Sequence, residues 1–167
     1  MRNLSIRVGV LGGTFDPAHE GHLKISLNAL KEYRLDYIIW LVANQNPLKK
    51  HTARDIFARA DTALKIVAHP RIIVSTAERD FGAYYSYDSI QELIQRFPGV
   101  NFSWLMGIDN LMHIRKWHRH REIQKLCDII VFDRMVSNRL VNNCFFDLNT
   151  DTTIDKTAIN NIILNRR

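Results

Sequence analysis

The sequence predicts an α/β protein, a Rossmann-like parallel sheet with helices on both faces. Three observations carry that expectation. Short apolar runs alternate with stretches of helical periodicity from Ser5 to Phe132. Two of the runs, YIIWLV (residues 37–42) and DIIVF (residues 128–132), lack the in-out alternation of a half-exposed strand and so read as strands buried on both faces. Polar residues gather just after the runs end, at Gly12–His22, Asn44–Lys50 and Gly107–Asn110, where a parallel sheet binds its ligands.

The elements follow in order. SIRVGVL is a β-branched first strand that closes at Gly12–Gly13. From Gly21 to Tyr33, Leu23, Leu27, Leu30 and Tyr33 keep helical spacing. Tyr37–Val42 is the second strand, followed by a polar loop with Pro47 that runs to Asp55. A helix over 56–68 leads to a strand at 72–75, and a loop then reaches Tyr85. A helix spans 86–97 and is stopped by Pro98–Gly99. Val100–Met106 is a strand, 109–126 is helical in at least two pieces, and 128–132 is the last strand.

With 167 residues and no linker or repeat, the chain reads as one domain over 1–167. No apolar run approaches the roughly 18 residues of a membrane span. MRNLSIRVGVLGG is too polar for a signal peptide, which leaves a cytoplasmic setting as the default. Cys127 and Cys144 lie in apolar surroundings and read as buried free thiols. The net charge of +6 is concentrated in RKWHRHR (residues 115–121) and at the last two residues. Such an excess suits a polyanionic ligand, either nucleotide or nucleic acid, and equally suits a solvated basic surface.

The stretch VLGGTFDPAHEGH (residues 10–22) holds the most chemistry. Gly12 and Gly13 end a strand and let a ligand approach the backbone. A helix start near Gly21 offers free N–H groups and a positive dipole end to an anion. His19 and His22 add ring donors, Thr14 a hydroxyl, and the backbone at Phe15 further N–H groups. The stretch is neither a Walker A loop nor a GxGxxG fingerprint. Without HExxH or a nearby cysteine, zinc is a weak reading of the two histidines.

GGTFDPAHEGH resembles the signature of the nucleotidyltransferases with an H-x-G-H motif, and the chain is similar to the bacterial nicotinate-nucleotide adenylyltransferase family over nearly its whole length, most strongly from Val8 to Arg134. The resemblance implies the nucleotidylyltransferase type of Rossmann-like fold. It implies adenylyl transfer from ATP to nicotinate mononucleotide, with Mg2+ arriving with ATP and no dedicated protein metal ligands. His19 and His22 would be catalytic. Gly12, Gly13, Thr14, Phe15, Gly21, Gly107, Asp109 and Thr157 would bind ATP, and Asn44, Lys49, Tyr85, Ser86, Trp117 and Arg134 the mononucleotide.

Several of these positions have a second reading. YYSYDSI (residues 84–90) matches the family's SYTxxTL segment and puts Ser86 at the nicotinate carboxylate, yet Ser86 equally reads as a helix N-cap. WLMGIDN (residues 104–110) matches the GxDN segment, in which Asp109 either holds a ribose hydroxyl or caps the next helix. Trp117 either stacks on the nicotinate ring or packs into the core. Lys49, in NPLKK, either reaches phosphate or is solvated. Met135–Val136 follows Arg134 where the family has Pro-Gly. The tail, from about residue 138, would close on the ATP site. Its IDKTAIN keeps Thr157 but places Asp155, Lys156 and Asn160 where the family has two serines and an arginine.

The expected partners are therefore two small molecules, ATP and nicotinate mononucleotide, rather than nucleic acid or a membrane. Oligomeric state is open, a homo-oligomer included. Nicotinamide mononucleotide or phosphopantetheine is the alternative acceptor. A nucleotide- or RNA-binding module that has lost activity with its altered tail is the alternative outside enzymes.

Overall fold

In the computed structural model, residues 5–45 and 53–132 are described. Five strands, β1 (Ile6–Gly13), β2 (Tyr37–Val42), β3 (Ile72–Ser75), β4 (Val100–Gly107) and β5 (Asp128–Phe132), form one sheet in the order β3-β2-β1-β4-β5. Every neighbouring pair is parallel. The chain therefore leaves β1 toward one side of the sheet and later returns to its other side with β4. The switch in strand order falls between these two strands, at the middle of the sheet.

Register fixes what lies at that point. Gly13 pairs with Val42 on one side, and Gly107 with Phe132 on the other. Between β1 and β4 the last pair is Leu11 with Leu105, so two residues further on Gly13 faces Gly107. The centre of the sheet's carboxyl edge is thus a pair of glycines flanked by Val42 and Phe132.

The strands bury alternate residues in two cores. On one face Val10, Trp104, Met106, Ile129 and Val131 pack with Tyr87, Ile90 and Leu93 of α4 (Ser86–Arg96) and Ile123 of α6 (His120–Leu126). On the other, Leu11, Ile38, Trp40, Leu105 and Ile130 pack with Ala29 and Leu30 of α1 (Glu20–Glu32) and Ile56, Ala60 and Ala63 of α2 (Ile56–Ile66). Helices cover both faces, as the double-sided apolar strands require.

One expectation needs correction. The stretch after β3, read as loop, holds the short helix α3 (Ala77–Phe81), which ends at Gly82 with φ 62°. The helical stretch after β4 is three pieces: α5 (Ile108–Leu111), a 3₁₀ turn at Ile114–Lys116, and α6. Cys127 is a free thiol whose burial pushes it up to about 12. Cys144 lies outside the described residues, as does the tail from residue 138. Among the described residues no helix is long and apolar enough to cross a membrane.

Candidate active site

The turn after β1 is built around Phe15. Its backbone takes a left-handed φ of 51°, which a bulky residue adopts only when its surroundings enforce it. Here the ring is 2% exposed and stacks on Trp40, 5.2 Å between centroids, with the His22 ring at 4.7 Å. Phe15 is thus an anchor, and its backbone is what remains to meet a ligand. Trp40 also donates from Nε1 to Ser26 Oγ at 2.7 Å, and Ser26 Oγ donates to the His22 carbonyl at 2.9 Å. The start of α1 is thereby moored to β2.

His19 is the N-cap of α1, one residue before Glu20. Its Nδ1 accepts from Gly21 N–H at 3.1 Å, while His22 Nδ1 accepts from His19 N–H at 3.1 Å. This is a capping box made of two imidazoles. A nitrogen that accepts an N–H carries no hydrogen, so in each neutral ring the hydrogen sits on Nε2. The cap therefore sets both tautomers, with the ring hydrogen of each histidine on Nε2. The rings stand 3.9 Å apart between centroids.

That geometry corrects one expectation. The first N–H groups of α1 were expected to be open to an anion, but Gly21 N–H is held by His19 Nδ1 and His22 N–H by the His19 carbonyl at 3.0 Å. Gly21 then has a different use: a Cβ there would sit 2.9 Å from the His19 ring. The two glycines of β1 also divide. A Cβ on Gly12 would lie 2.4 Å from the Trp104 ring, so this glycine serves packing. A Cβ on Gly13 would stand 3.3 Å from Phe15, whereas one on Gly107 would meet no atom of the described residues within 4 Å.

The second helix start is α4. Tyr85, in extended conformation, is its N-cap and Ser86 its first residue, and no side chain caps it. Ser86 is therefore not the N-cap its sequence allowed, and among the described residues no side chain is seen to accept from the first amides of this helix. The same holds one strand over: Gly107 is the N-cap of α5, and Asp109, exposed, makes no cap hydrogen bond. Trp117 follows the 3₁₀ turn, half-buried, with one side against the core. Its neighbours bring it to α4: the His118 ring lies 4.6 Å from Tyr85, and the Arg119 guanidinium 4.1 Å above the Tyr87 ring. Arg119 also pairs with Glu122, so part of the basic run RKWHRHR is engaged within the fold.

The structure thus gathers Thr14, Phe15, His19 and His22 after β1, Asn44 after β2, Gly107 and Asp109 after β4, and Tyr85, Ser86 and Trp117 around the start of α4. Lys49, Arg134 and Thr157 lie outside the described residues. Sequence reasoning missed a buried polar set beside them. Arg59, 1% exposed, donates from Nη1 to the Thr14 and Ala43 carbonyls at 2.7 and 2.8 Å and from Nη2 to Asn44 O at 3.1 Å. Glu78, 5% exposed, accepts from Asn44 N–H and from Ser89 Oγ, both at 2.7 Å. Burial lowers Arg59 and raises Glu78 from their ordinary ranges, and each is partly restored by the other's charge. A signal for Arg59 was present: with Ile56, Ala60 and Ala63 it completes the i, i+3, i+4, i+7 face of α2.

A parallel sheet whose switch point is lined by glycine, with an imidazole-capped helix beside it, defines a nucleotidyltransferase of the H-x-G-H type. Residues 10–158 match the cytidylyltransferase-like family. A nicotinate-nucleotide adenylyltransferase of Cereibacter sphaeroides is 42% identical over 127 residues, 76% of this chain and 69% of the relative. One of Parvibaculum lavamentivorans is 43% identical over 130 residues, 77% of this chain and 65% of the relative. Among solved structures, nicotinic acid mononucleotide adenylyltransferase of Plasmodium falciparum in complex with NaAD superposes with a TM-score of 0.71 at 15% identity, covering 92% of this chain and 70% of that one. The chain belongs to the cytidylyltransferase-like family and, within it, to the nicotinate-nucleotide adenylyltransferases.

Proposed function

We propose that this chain transfers the adenylyl group of ATP to nicotinate mononucleotide, giving nicotinate adenine dinucleotide (deamido-NAD) and pyrophosphate. Its relatives carry that activity in their names. The observation in the chain itself that supports it most is the pair of unlike helix starts at one crevice. Two imidazole Nε2–H donors at α1 suit a triphosphate, and uncapped amides at α4 suit a carboxylate.

In this reading ATP lies across Gly13 and Gly107, its triphosphate toward Thr14, His19 and His22, its ribose toward Asp109. The mononucleotide lies toward Asn44, with its carboxylate at Tyr85–Ser86 and its ring against Trp117. A phosphate oxygen of the mononucleotide attacks the α-phosphorus in line, and the bond from that phosphorus to the bridging oxygen breaks as pyrophosphate leaves. The attacking oxygen is already an anion, so no general base is needed. His19 and His22 donate to oxygens on which charge grows, and the fold holds the two substrates in line.

The donor set of imidazole, hydroxyl and amide suits phosphate oxygens rather than Mg2+, which prefers oxygen ligands. Among the described residues no three His, Cys, Asp or Glu side chains cluster to hold a metal. A divalent ion, Mg2+ in our reading, then belongs to the ATP substrate, held by phosphate and water. The test is turnover of the purified chain with ATP and either the acid or the amide mononucleotide, with products identified by mass. Preference for the acid is the expected result; equal use of the amide would remove the carboxylate site from α4.

A further inference from the structure

We propose that Glu78 and Arg59 are positioning residues that grip the Asn44 peptide from its two ends and so set the mononucleotide side of the crevice against the ATP side. The proposal rests on the acceptor reading given above for Asn44 and the start of α4.

The Asn44 N–H donates to Glu78 Oε2 at 2.7 Å, and the Asn44 carbonyl accepts from Arg59 Nη2 at 3.1 Å. Opposite charges from two different helices, α3 and α2, hold the two ends of one residue's backbone. Each also reaches further. Arg59 Nη1 takes the Thr14 carbonyl at 2.7 Å, in the turn that leads to the histidines, and Arg59 Nε takes the Arg54 carbonyl at 2.7 Å. Glu78 Oε1 accepts from Ser89 Oγ at 2.7 Å, in the first turn of α4. Arg59 therefore ties the loop after β2 to the turn after β1, and Glu78 ties the same loop to α4.

Stability alone is a poor reason for this arrangement. Two buried charges are costly to desolvate, and apolar residues of similar volume commonly serve stability as well or better. What charge adds here is direction. Loop carbonyls and amides outside the sheet ladder need partners when buried, and charged partners hold them at short range. Apart from the Arg54 carbonyl, the partners fall on Thr14, Ala43, Asn44 and Ser89, beside proposed substrate contacts.

The two residues have separable consequences. Glu78 touches the acceptor side only, whereas Arg59 touches both. In the full chain, Glu78→Gln is expected to raise KM for the acid mononucleotide about tenfold, from the loss of a charge-assisted hydrogen bond, with KM for ATP within about twofold. Arg59→Lys, which cannot form the fork, is expected to raise both KM values. Hydrogen exchange without ligand gives a readout apart from activity: the Asn44 amide should exchange about tenfold faster in Glu78→Gln, while Val10 and Leu105 stay protected. Should Glu78→Gln not fold, Ser89→Ala frees Oε1 without touching either charge and should raise the acceptor KM about threefold. Equal changes in both KM values for Glu78→Gln, a fall in kcat alone, or unchanged Asn44 exchange would overturn the proposal. Failure of the wild-type chain to use the acid mononucleotide would instead sink the acceptor reading, and the exchange arm would still test the grip.

Discussion

The two helix starts that open on the crevice are built in opposite ways. At α1 the chain closes its own cap with His19 and His22, and the amides are engaged. At α4 it places Tyr85 in the capping position, where no side chain returns to the backbone. A sealed start presents rings with a fixed hydrogen; a bare start presents amides. The first suits charge that moves during reaction, because ring donors can be aimed at one oxygen. The second suits a charge that stays put, as a ring carboxylate does. The dipole common to both helices does not distinguish them, and the cap does.

The contrast breaks most sharply at the histidines. His22→Ala should lower kcat by about 10²–10³ with little change in either KM, the usual loss for one transition-state donor. His19→Asn separates capping from chemistry, since asparagine is among the best N-caps. It should keep the melting temperature of the parent yet lose kcat by a similar factor in steady-state assays. Retained activity in His19→Asn would mean that the ring matters only as a cap.

At the bare start, Ser86→Pro removes an N–H at the first helical position, where proline is well tolerated, and Tyr85 already has the extended backbone that precedes proline. The helix should persist by circular dichroism while KM for the acid mononucleotide rises about tenfold, and that for the amide less. A smaller effect is expected from Gly107→Ala. Its methyl group meets no atom of the described residues, so melting should not fall. A rise of about fivefold in KM for ATP would show that the nucleotide crosses this strand end, by the cost of slight misplacement. An unchanged KM would move the nucleotide elsewhere.

The smallest effect lies in pH. Burial raises Glu78 above its ordinary 4.5, against the hydrogen bonds from Ser89 and Asn44. Below 4.5 both folded and unfolded chains hold the proton. As pH rises past it, the unfolded chain releases its proton first, so the folded chain loses relative stability until Glu78 ionises in place. Melting temperature should therefore decline with pH above 4.5, and Glu78→Gln should flatten that decline. Asp16 acts in the opposite sense, because hydrogen bonds from Arg54 hold it below 3.8, so its contribution is lost only at more acid pH.

Much of the fold was legible because burial on both faces leaves continuous apolar runs, and β2, β3 and β5 begin and end where the sequence put them. α3 was not legible. AERDF is too short to show a period, and its buried member is a glutamate. Cap positions slipped by one residue at both helix starts, since propensity favours Ser86 over Tyr85 and Gly21 says nothing of the ring beside it. The motif singled out His19 and His22, but not that the backbone N–H groups of Gly21 and His19 would set their tautomers. Charge misled most at Arg59 and Glu78, which are the most buried charged residues described. Their partners are mostly backbone atoms distant in the chain, at Thr14, Ala43 and Asn44, which no local pattern records.

Gly12 and Trp104 draw on a single volume, one from each side of the strand pair at the sheet's centre. Neither can be exchanged freely while the other stands. A lineage that put alanine at 12 would have to shrink 104 to Leu or Val, and in the laboratory the two single changes should each fare worse than the pair made together. The double glycine that looks like one signature answers to two different rings, the first to the Trp104 indole and the second to Phe15.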